Sequence, residues 1–405
     1  MGHKRRYNVV DLFAGTGGMG LAALSVPSFK GAGRVVWTAE INPRYVDTIQ
    51  RNYRYYAEVV GTADQVATRC VPTDLAKPSA LETARGVRRR WGHIDLVLAG
   101  PPCQGFSLAN RLSRTHDNPL NRLSLAVLPL VRILEPRLFI LENVPGIRTL
   151  RTESGNGETT TDILQRRLRR LGYASRVMVL NAADYGVPQF RLRSFLIAVR
   201  GYPDRTLPPS LLPTPTHGPG RLLPFVTVSD AIDDLPPTIN GSCTSEVRYT
   251  SEPRSSFQAL MRKHSNGSVS DHLTSRHNSY VLERYARVPQ GGNWTSIRSM
   301  LSNYEDAERT HLNIYHRLRP HEPAKTIGNF RKAMTIHPNE TRGLSLREAA
   351  RLQSIPDWLV FTDPQAAITR NVVPGLNEYQ QQIGNAVSYL LTEKLLAHVA
   401  QTLDL

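Results

Sequence analysis

A strand-like run, Tyr7-Asn-Val-Val-Asp11-Leu-Phe13, breaks into Ala14-Gly15-Thr16-Gly17-Gly18-Met19-Gly20 and continues directly as a helix-like segment from Met19 to Leu24. This junction limits the fold more than any other feature. A strand that feeds a helix through a tight turn belongs to a parallel, crossover-built sheet. Gly15, Gly17 and Gly20 have the G-x-G-x-x-G spacing. Glycine there lets the backbone turn tightly and lets a ligand approach the helix N-terminus. The pattern serves several nucleotide-type ligands and does not choose among them. The next strand, Arg34 to Ala39, ends at Glu40 and is followed by Ile41-Asn42-Pro43. An acid at that place can accept bonds from ribose hydroxyls, or it can cap the helix that starts near Pro43. Asp74, before Leu75 at another strand end, can receive an adenine amino group or act as an ordinary N-cap.

A second apolar run, Ile94 to Ala99, stops at Gly100-Pro101-Pro102 and reads as a buried strand that opens into a loop. Consecutive prolines cannot continue a ladder and hold the backbone stiff, so the side chain of Cys103 is presented in a fixed direction. In open α/β sheets, ligands bind beyond the carboxyl ends of the strands. A thiol displayed there reads as a nucleophile; standing alone, it would read as a small buried hydrophobe. The strand Leu138 to Leu141 delivers Glu142, a carboxylate whose apolar flank is expected to raise its pKa, or else a capping acid. Gln189, Arg191 and Arg193 alternate with apolar residues and therefore share one face of a strand. The segment 162–171 is a basic helix with Arg166, Arg167, Arg169 and Arg170, either a solvated face or a phosphate-facing one.

At 405 residues the chain holds a large domain and a smaller one. No apolar run approaches the roughly 20 residues that span a bilayer, and no signal-peptide core follows the basic start. The three cysteines, Cys70, Cys103 and Cys243, are too few and scattered for a disulfide framework or zinc cluster. A cytoplasmic protein with free thiols is the expectation. A net charge of +16 favours a polyanionic partner, nucleic acid first. From Gly201 the composition turns proline-rich and then polar, which sets residues 201–340 apart as a second domain or large insertion. Apolar periodicity returns at Leu344–Leu352, a helix with Ser345 as N-cap and Pro356 beyond its end. Gln380 to Val387 then opens a last helix, Ser388 to Leu403. The domains are thus read as 1–200, 201–340 and a returning segment 341–405.

Taken together, Asp11-Leu-Phe-Ala-Gly-Thr-Gly-Gly, Pro101-Pro-Cys-Gln-Gly-Phe-Ser, Glu142-Asn-Val, Gln189-Phe-Arg-Leu-Arg193, Arg347-Glu-Ala-Ala-Arg-Leu-Gln353 and Gly384-Asn-Ala-Val resemble the DNA (cytosine-5) methyltransferase family, in the family's order along the whole chain. The resemblance implies a Rossmann-like α/β methyltransferase domain with a smaller, irregular target-recognition domain. It implies S-adenosylmethionine as methyl donor, S-adenosylhomocysteine as product, and no metal. Cytosine carbon 5 is too electron-poor to attack a methyl group unaided, and a thiolate added at carbon 6 turns the ring into an enamine. Cys103 matches that nucleophile, Glu142 the acid that protonates N3, Arg193 the arginine on the ring's O2, and Arg191 a supporting residue. The cofactor positions would be Asp11, Phe13, Gly15, Thr16 and Gly17 in the first turn, Glu40 and Ile41 at the ribose, Asp74 and Leu75 at the adenine, with Pro101, Asn385 and Val387. Phe13 would offer its aromatic face to the adenine or the sulfonium.

A base inside a duplex cannot reach such a thiol and must be flipped out. The loop from Gln104 to about Arg122 would close over it, with Gln104, Ser107 and Gln189 near the vacated place. Arg262, Lys263, Arg276, Arg317 and Arg319 would meet phosphates or bases. Duplex DNA is the implied partner, with a cognate restriction endonuclease acting on the same site, no membrane, and a monomeric enzyme. A tRNA-directed cytosine-5 methyltransferase shares the same motifs and stays open, as does a non-catalytic DNA-binding protein with this fold. A nicotinamide dehydrogenase would explain the glycine turn and Glu40 but not the Pro-Pro-Cys stretch.

Overall fold

The computed structural model describes residues 6–26, 33–102, 119–149, 157–204, 206–244, 246–301, 314–362 and 375–404, and the side chains of 119–122 are not among what it describes. Packing divides the chain into two compact units: 1–181 with 192–214 and 391–405, and 182–191 with 215–390.

The first unit is built on a seven-stranded sheet in the order β3-β2-β1-β4-β5-β7-β6. Its strands are β1 (Tyr7–Leu12), β2 (Gly33–Glu40), β3 (Val71–Pro72), β4 (Leu96–Ala99), β5 (Leu138–Asn143), β6 (Tyr173–Asn181) and β7 (Leu192–Arg200). β1 to β5 pair in parallel, and β7 runs antiparallel to both β5 and β6. This is the Rossmann-like α/β class that the resemblance implies, with the parallel core expected from the strand–turn–helix junctions. Side chains alternate across β1 as the period of two requires. Val10 and Leu12 join the core under helices α3 (Pro78–Trp91), α4 (Pro119–Leu134) and α5 (Thr160–Arg170), while Asp11 turns to the opposite face, toward α1 (Gly18–Leu24). Asn42 starts α2 (Pro43–Tyr55): its side chain accepts from the Arg44 N–H at 3.0 Å and Pro43 takes the first helical place. Glu40 therefore does not cap this helix.

The second unit is made of short elements. It holds a two-stranded ladder (Glu246–Arg248 with Ser268–Ser270), the helices Ser256–Arg262 and Ser279–Arg287, and a small core around Tyr285, Trp294, Tyr315 and Ile336. The helix Leu346–Leu352 has the expected Ser345 cap, completed as a capping box by Glu348. Every one of its residues is buried. Arg347 pairs with Asp271 and Asp357, and Arg351 with Asp234 and Asp357. These pairs fasten the helix to Asp234, Asp271 and Asp357. The packing accordingly gives 341–390 to the second unit, where the composition reading places that segment with the first, and only 391–405 returns. Gln380 to Asn385 is itself helical, the end of a helix Leu376–Asn385 that precedes the final one, Tyr389–Thr402. Among the described residues no helix is long and apolar enough to cross a membrane.

Candidate active site

The carboxyl ends of β1, β2, β4 and β5 lie side by side, and the site residues of the first unit gather there. The strand order reverses between β1 and β4, the switch point at which open α/β sheets leave a crevice. Phe13 leaves β1 with φ +54°, a left-handed backbone that a bulky side chain rarely adopts and that turns the chain sharply out of the sheet. Gly15 at φ +58° and Gly17 at φ +77° continue the turn into α1. A side chain added at Gly15 would meet nothing within 4 Å, so the backbone there borders open space. Thr16 is buried within the same turn.

Glu40 stitches this turn to β2. Its Oε2 accepts from the Gly15 N–H at 2.9 Å and its Oε1 from the Asn42 N–H at 2.9 Å. Burial raises its pKa, and the backbone donors of Asn42, Gly15 and Ile41 oppose the rise. The Ile41 side chain is exposed. Asp11 has no exposed surface, and its Oδ2 accepts from the Gly20 N–H at 3.0 Å. It acts on the turn from behind. Burial pushes its carboxyl up to about 7, with a further push from Glu40 against the pull of the Gly20 N–H. Asp74 closes a local turn, accepting from the Ala76 N–H at 3.0 Å, and Leu75 packs into the core beside it. The cap position of α3 falls on Lys77.

At the end of β5, Glu142 lies within the strand and nearly out of solvent. Antiparallel β7 brings Arg193 to it, and the guanidinium Nε donates to Glu142 Oε1 at 2.8 Å. Arg193 also donates to the Leu192 carbonyl at 2.7 Å, which fixes the guanidinium from two sides. The next residue, Asn143, donates from Nδ2 to the Pro101 carbonyl at 3.2 Å, while its Oδ1 accepts from the Val144 N–H. Asn143 thus holds the root of the Pro101-Pro102 segment, a part that sequence reasoning passed over although it stands inside the Glu142-Asn-Val motif. Cys103, Gln104 and Ser107 lie outside the described residues.

Gln189 and Arg191 belong to the second unit, and the base-facing place expected of Gln189 requires correction. Gln189 is fully buried: its amide donates to the Leu352 carbonyl at 2.9 Å and its oxygen accepts from the Ile327 N–H at 2.9 Å. It braces the unit instead of offering its amide to a base. Arg191 is also buried and donates to the carbonyls of Ile327, Gly384 and Ala386 at 2.9, 2.8 and 3.2 Å. It is a positioning residue for the segment that carries Asn385 and Val387, of which Asn385 is exposed and Val387 half-buried. Of the basic residues expected to face DNA, Arg262 is paired with Asp234 at 2.6 Å and stacked 3.7 Å over Tyr249. Arg317 is buried and donates to four backbone carbonyls. Both are structural. Lys263 and Arg276 are exposed, and Arg319 pairs with Glu322 at the surface.

Residues 7–401 match the model of the C-5 cytosine-specific DNA methylases. The chain is similar to the type II methyltransferase M.DdeI of Desulfomicrobium norvegicum, 30% identical over 97% of this chain and 88% of that one. It is similar also to the type II methyltransferase M1.HphI of Haemophilus parahaemolyticus, 30% identical over 95% of this chain and 84% of the other. A DNA modification methyltransferase encoded within an E. coli prophage superposes with a TM-score of 0.71 at 25% identity, covering 98% of this chain and all of that one. With a match that runs nearly end to end, the chain belongs to the C-5 cytosine-specific DNA methylase family and is a DNA (cytosine-5-)-methyltransferase.

Proposed function

We propose that the protein methylates carbon 5 of a flipped-out cytosine in a specific duplex DNA sequence, through a covalent bond between Cys103 and carbon 6. The observation that supports this reading is the pairing of Arg193 with Glu142, next to the Asn143 bond that anchors the chain leading to Cys103. The Cys103 thiolate adds to carbon 6, and the electron pair displaced into the ring is taken up at N3 by a proton from Glu142. Arg193, already fixed against Glu142, offers its guanidinium to O2. Carbon 5, now nucleophilic, would take the methyl group that the cofactor supplies; a base then removes the proton from carbon 5, the thiolate leaves carbon 6, and N3 returns its proton to Glu142. Base flipping precedes these steps, at a cost of a few kcal/mol. Gln104 and Ser107 are assigned to the space the base vacates.

The first turn fits S-adenosylmethionine. The backbone at Gly15 borders open space. The Glu40 carboxylate, which can accept about four hydrogen bonds, keeps capacity for a ribose hydroxyl beyond its backbone donors. When bound, the cofactor supplies an electrophilic methyl group and leaves as S-adenosylhomocysteine. Glu40 and Ile41 would hold the ribose, Asp74 and Leu75 the adenine, and Phe13, Gly15, Thr16, Gly17, Pro101, Asn385 and Val387 the remainder, with Asp11 supporting from behind. The kinship with type II methyltransferases supports a cognate restriction endonuclease cutting the same sequence.

Transfer of labelled methyl from S-adenosylmethionine tests the reading, with mixed-sequence duplex DNA and bulk tRNA side by side. Label on carbon 5 of cytosine in DNA is expected, and Cys103→Ser should abolish it while DNA binding persists. Label in tRNA alone would sink the DNA assignment, and full activity of the serine variant would sink the thiolate step.

A further inference from the structure

Helices α3, α4 and α5 pack side by side on one face of the sheet. All three run antiparallel to β4 and β5, so they end together at the edge opposite the carboxyl ends that carry the site. Each ends in arginine: Arg88, Arg89 and Arg90 on α3, Arg132 on α4, and Arg167, Arg169 and Arg170 on α5. Arg137, just before β5, and Arg200, at the end of β7, join the same edge, where the Arg200 N–H donates to the Arg137 carbonyl. The carboxylate paired with this group is Glu135, which binds Arg88 at 3.3 Å and Arg200 at 2.8 Å. Arg89, Arg90, Arg132, Arg137, Arg169 and Arg170 are exposed, and among the described residues none has a carboxylate partner.

A cation in the last turn complements the helix dipole by about 0.3–1 kcal/mol. That accounts for one arginine per helix but not for successive ones. Cations held together without carboxylates repel one another, although Arg90 also lies 5.0 Å over the Trp91 ring, and a polyanion relieves the repulsion. Neighbouring helices stand about 8–10 Å apart, so the three ends span about 20 Å, roughly six base-pair steps of duplex. Contacts from arginines to phosphate oxygens hold a duplex without reading its sequence.

We propose that this edge is a second, sequence-independent duplex-DNA surface, separate from the active site, which grips the phosphate backbone of another segment of the substrate polymer. The inference rests on DNA being the substrate, and it assigns to the arginines at the ends of α3 and α5 the principal role in holding phosphates. The test compares the full chain with a variant in which Arg89, Arg90, Arg169 and Arg170 are all replaced by glutamine, and with a second in which the same four are lysine. Binding to long mixed-sequence duplex DNA is measured across salt concentrations, and methyl transfer to a short mixed-sequence duplex is measured separately. Every phosphate left without its cation takes about 0.9 from the slope of log affinity against log salt, so the glutamine variant should flatten it by about 2 to 4 and bind roughly tenfold or more weakly. The lysine variant, which keeps point charges for phosphate, should bind nearly as the parent does. Transfer to the short duplex should be unchanged in both, and its failure in the parent would strike the methylation reading and not this one. An unchanged salt slope in the glutamine variant overturns the proposal. So does an equal weakening in the lysine variant, a loss of transfer to the short duplex, or a weakening seen only with RNA of the same length.

Discussion

Two carboxyl groups at the strand ends, Glu142 with a proton to deliver and Asp11 with one that burial favours, each offer a test. Glu142 is held by Arg193 at 2.8 Å with little access to water. Glutamine in its place keeps the shape and a hydrogen-bonding oxygen but cannot deliver a proton to N3. Glu142→Gln should lower kcat by about 100- to 10,000-fold, the span of a lost general acid, with DNA affinity retained. A loss under fivefold in single-turnover transfer would remove Glu142 from the proton's path. Asp11 is the second case. Its pKa of about 7 in the folded chain stands above the ordinary 3.8, because it is entirely buried, with Glu40, Tyr53 and Cys70 as its titratable neighbours. Between those two values the folded state binds the extra proton, so stability falls as pH rises from about 4 to about 7 and is level beyond. The full cost is on the order of 4 kcal/mol by pH 8. Asp11→Asn keeps an acceptor for the Gly20 N–H and cannot ionise. Denaturant unfolding should show it more stable than the parent at pH 8 and lacking most of the decline. The same pH slope in both would mean that Asp11 is ionised throughout.

At the scale of elements, the buried helix Leu346–Leu352 concentrates charge where a core would ordinarily be apolar. Arg351 donates to Asp357 at 2.9 and 2.6 Å, to the Ala231 carbonyl, and to Asp234. Removing one partner of a buried pair costs about 3–5 kcal/mol because the other charge is left without compensation. Arg351→Met should cost that much in denaturant unfolding, and restoring neutrality with Asp357→Asn in the same chain should recover part of it. Additive losses would mean that the two groups do not act as a pair. Such a network is hard to read in a sequence. β1 with its glycine turn, β5 with Glu142, and the Ser345 cap are local, because strand period, turn chemistry and capping act over a few residues. Gln189 and Arg191 are different: their partners Leu352, Ile327 and Gly384 lie more than a hundred residues away. Alternation along the chain places them on one face but does not say that this face is buried. Arg262 and Arg317 mislead for the same reason, since nothing nearby in the chain announces Asp234 or the carbonyls that hold them. Gly384 carries a signal of this kind as well, because a side chain there would come within 2.3 Å of the Gly328 oxygen.

At the scale of the molecule, the first unit is discontinuous: its last piece, 391–405, follows 176 residues of the second unit, 215–390. The returning helix buries Leu391, Leu395, Leu396 and Val399 almost completely. Each such side chain contributes about 1.5–3 kcal/mol on burial, on the order of 10 kcal/mol together. That is comparable to the whole net stability of a domain, about 5–15 kcal/mol. The closing segment is therefore a condition for the first unit to fold. A chain cut after Leu390 should lose the cooperative unfolding transition of the first unit and its binding of S-adenosylmethionine, although every residue assigned to the cofactor is still present. A peptide of residues 391–405 added back should restore both in proportion to its concentration, because binding only the folded state shifts the equilibrium toward it. If the shortened chain binds the cofactor as the full chain does, the apolar face of the last helix is dispensable, and the first unit is complete with 1–181 and 192–214.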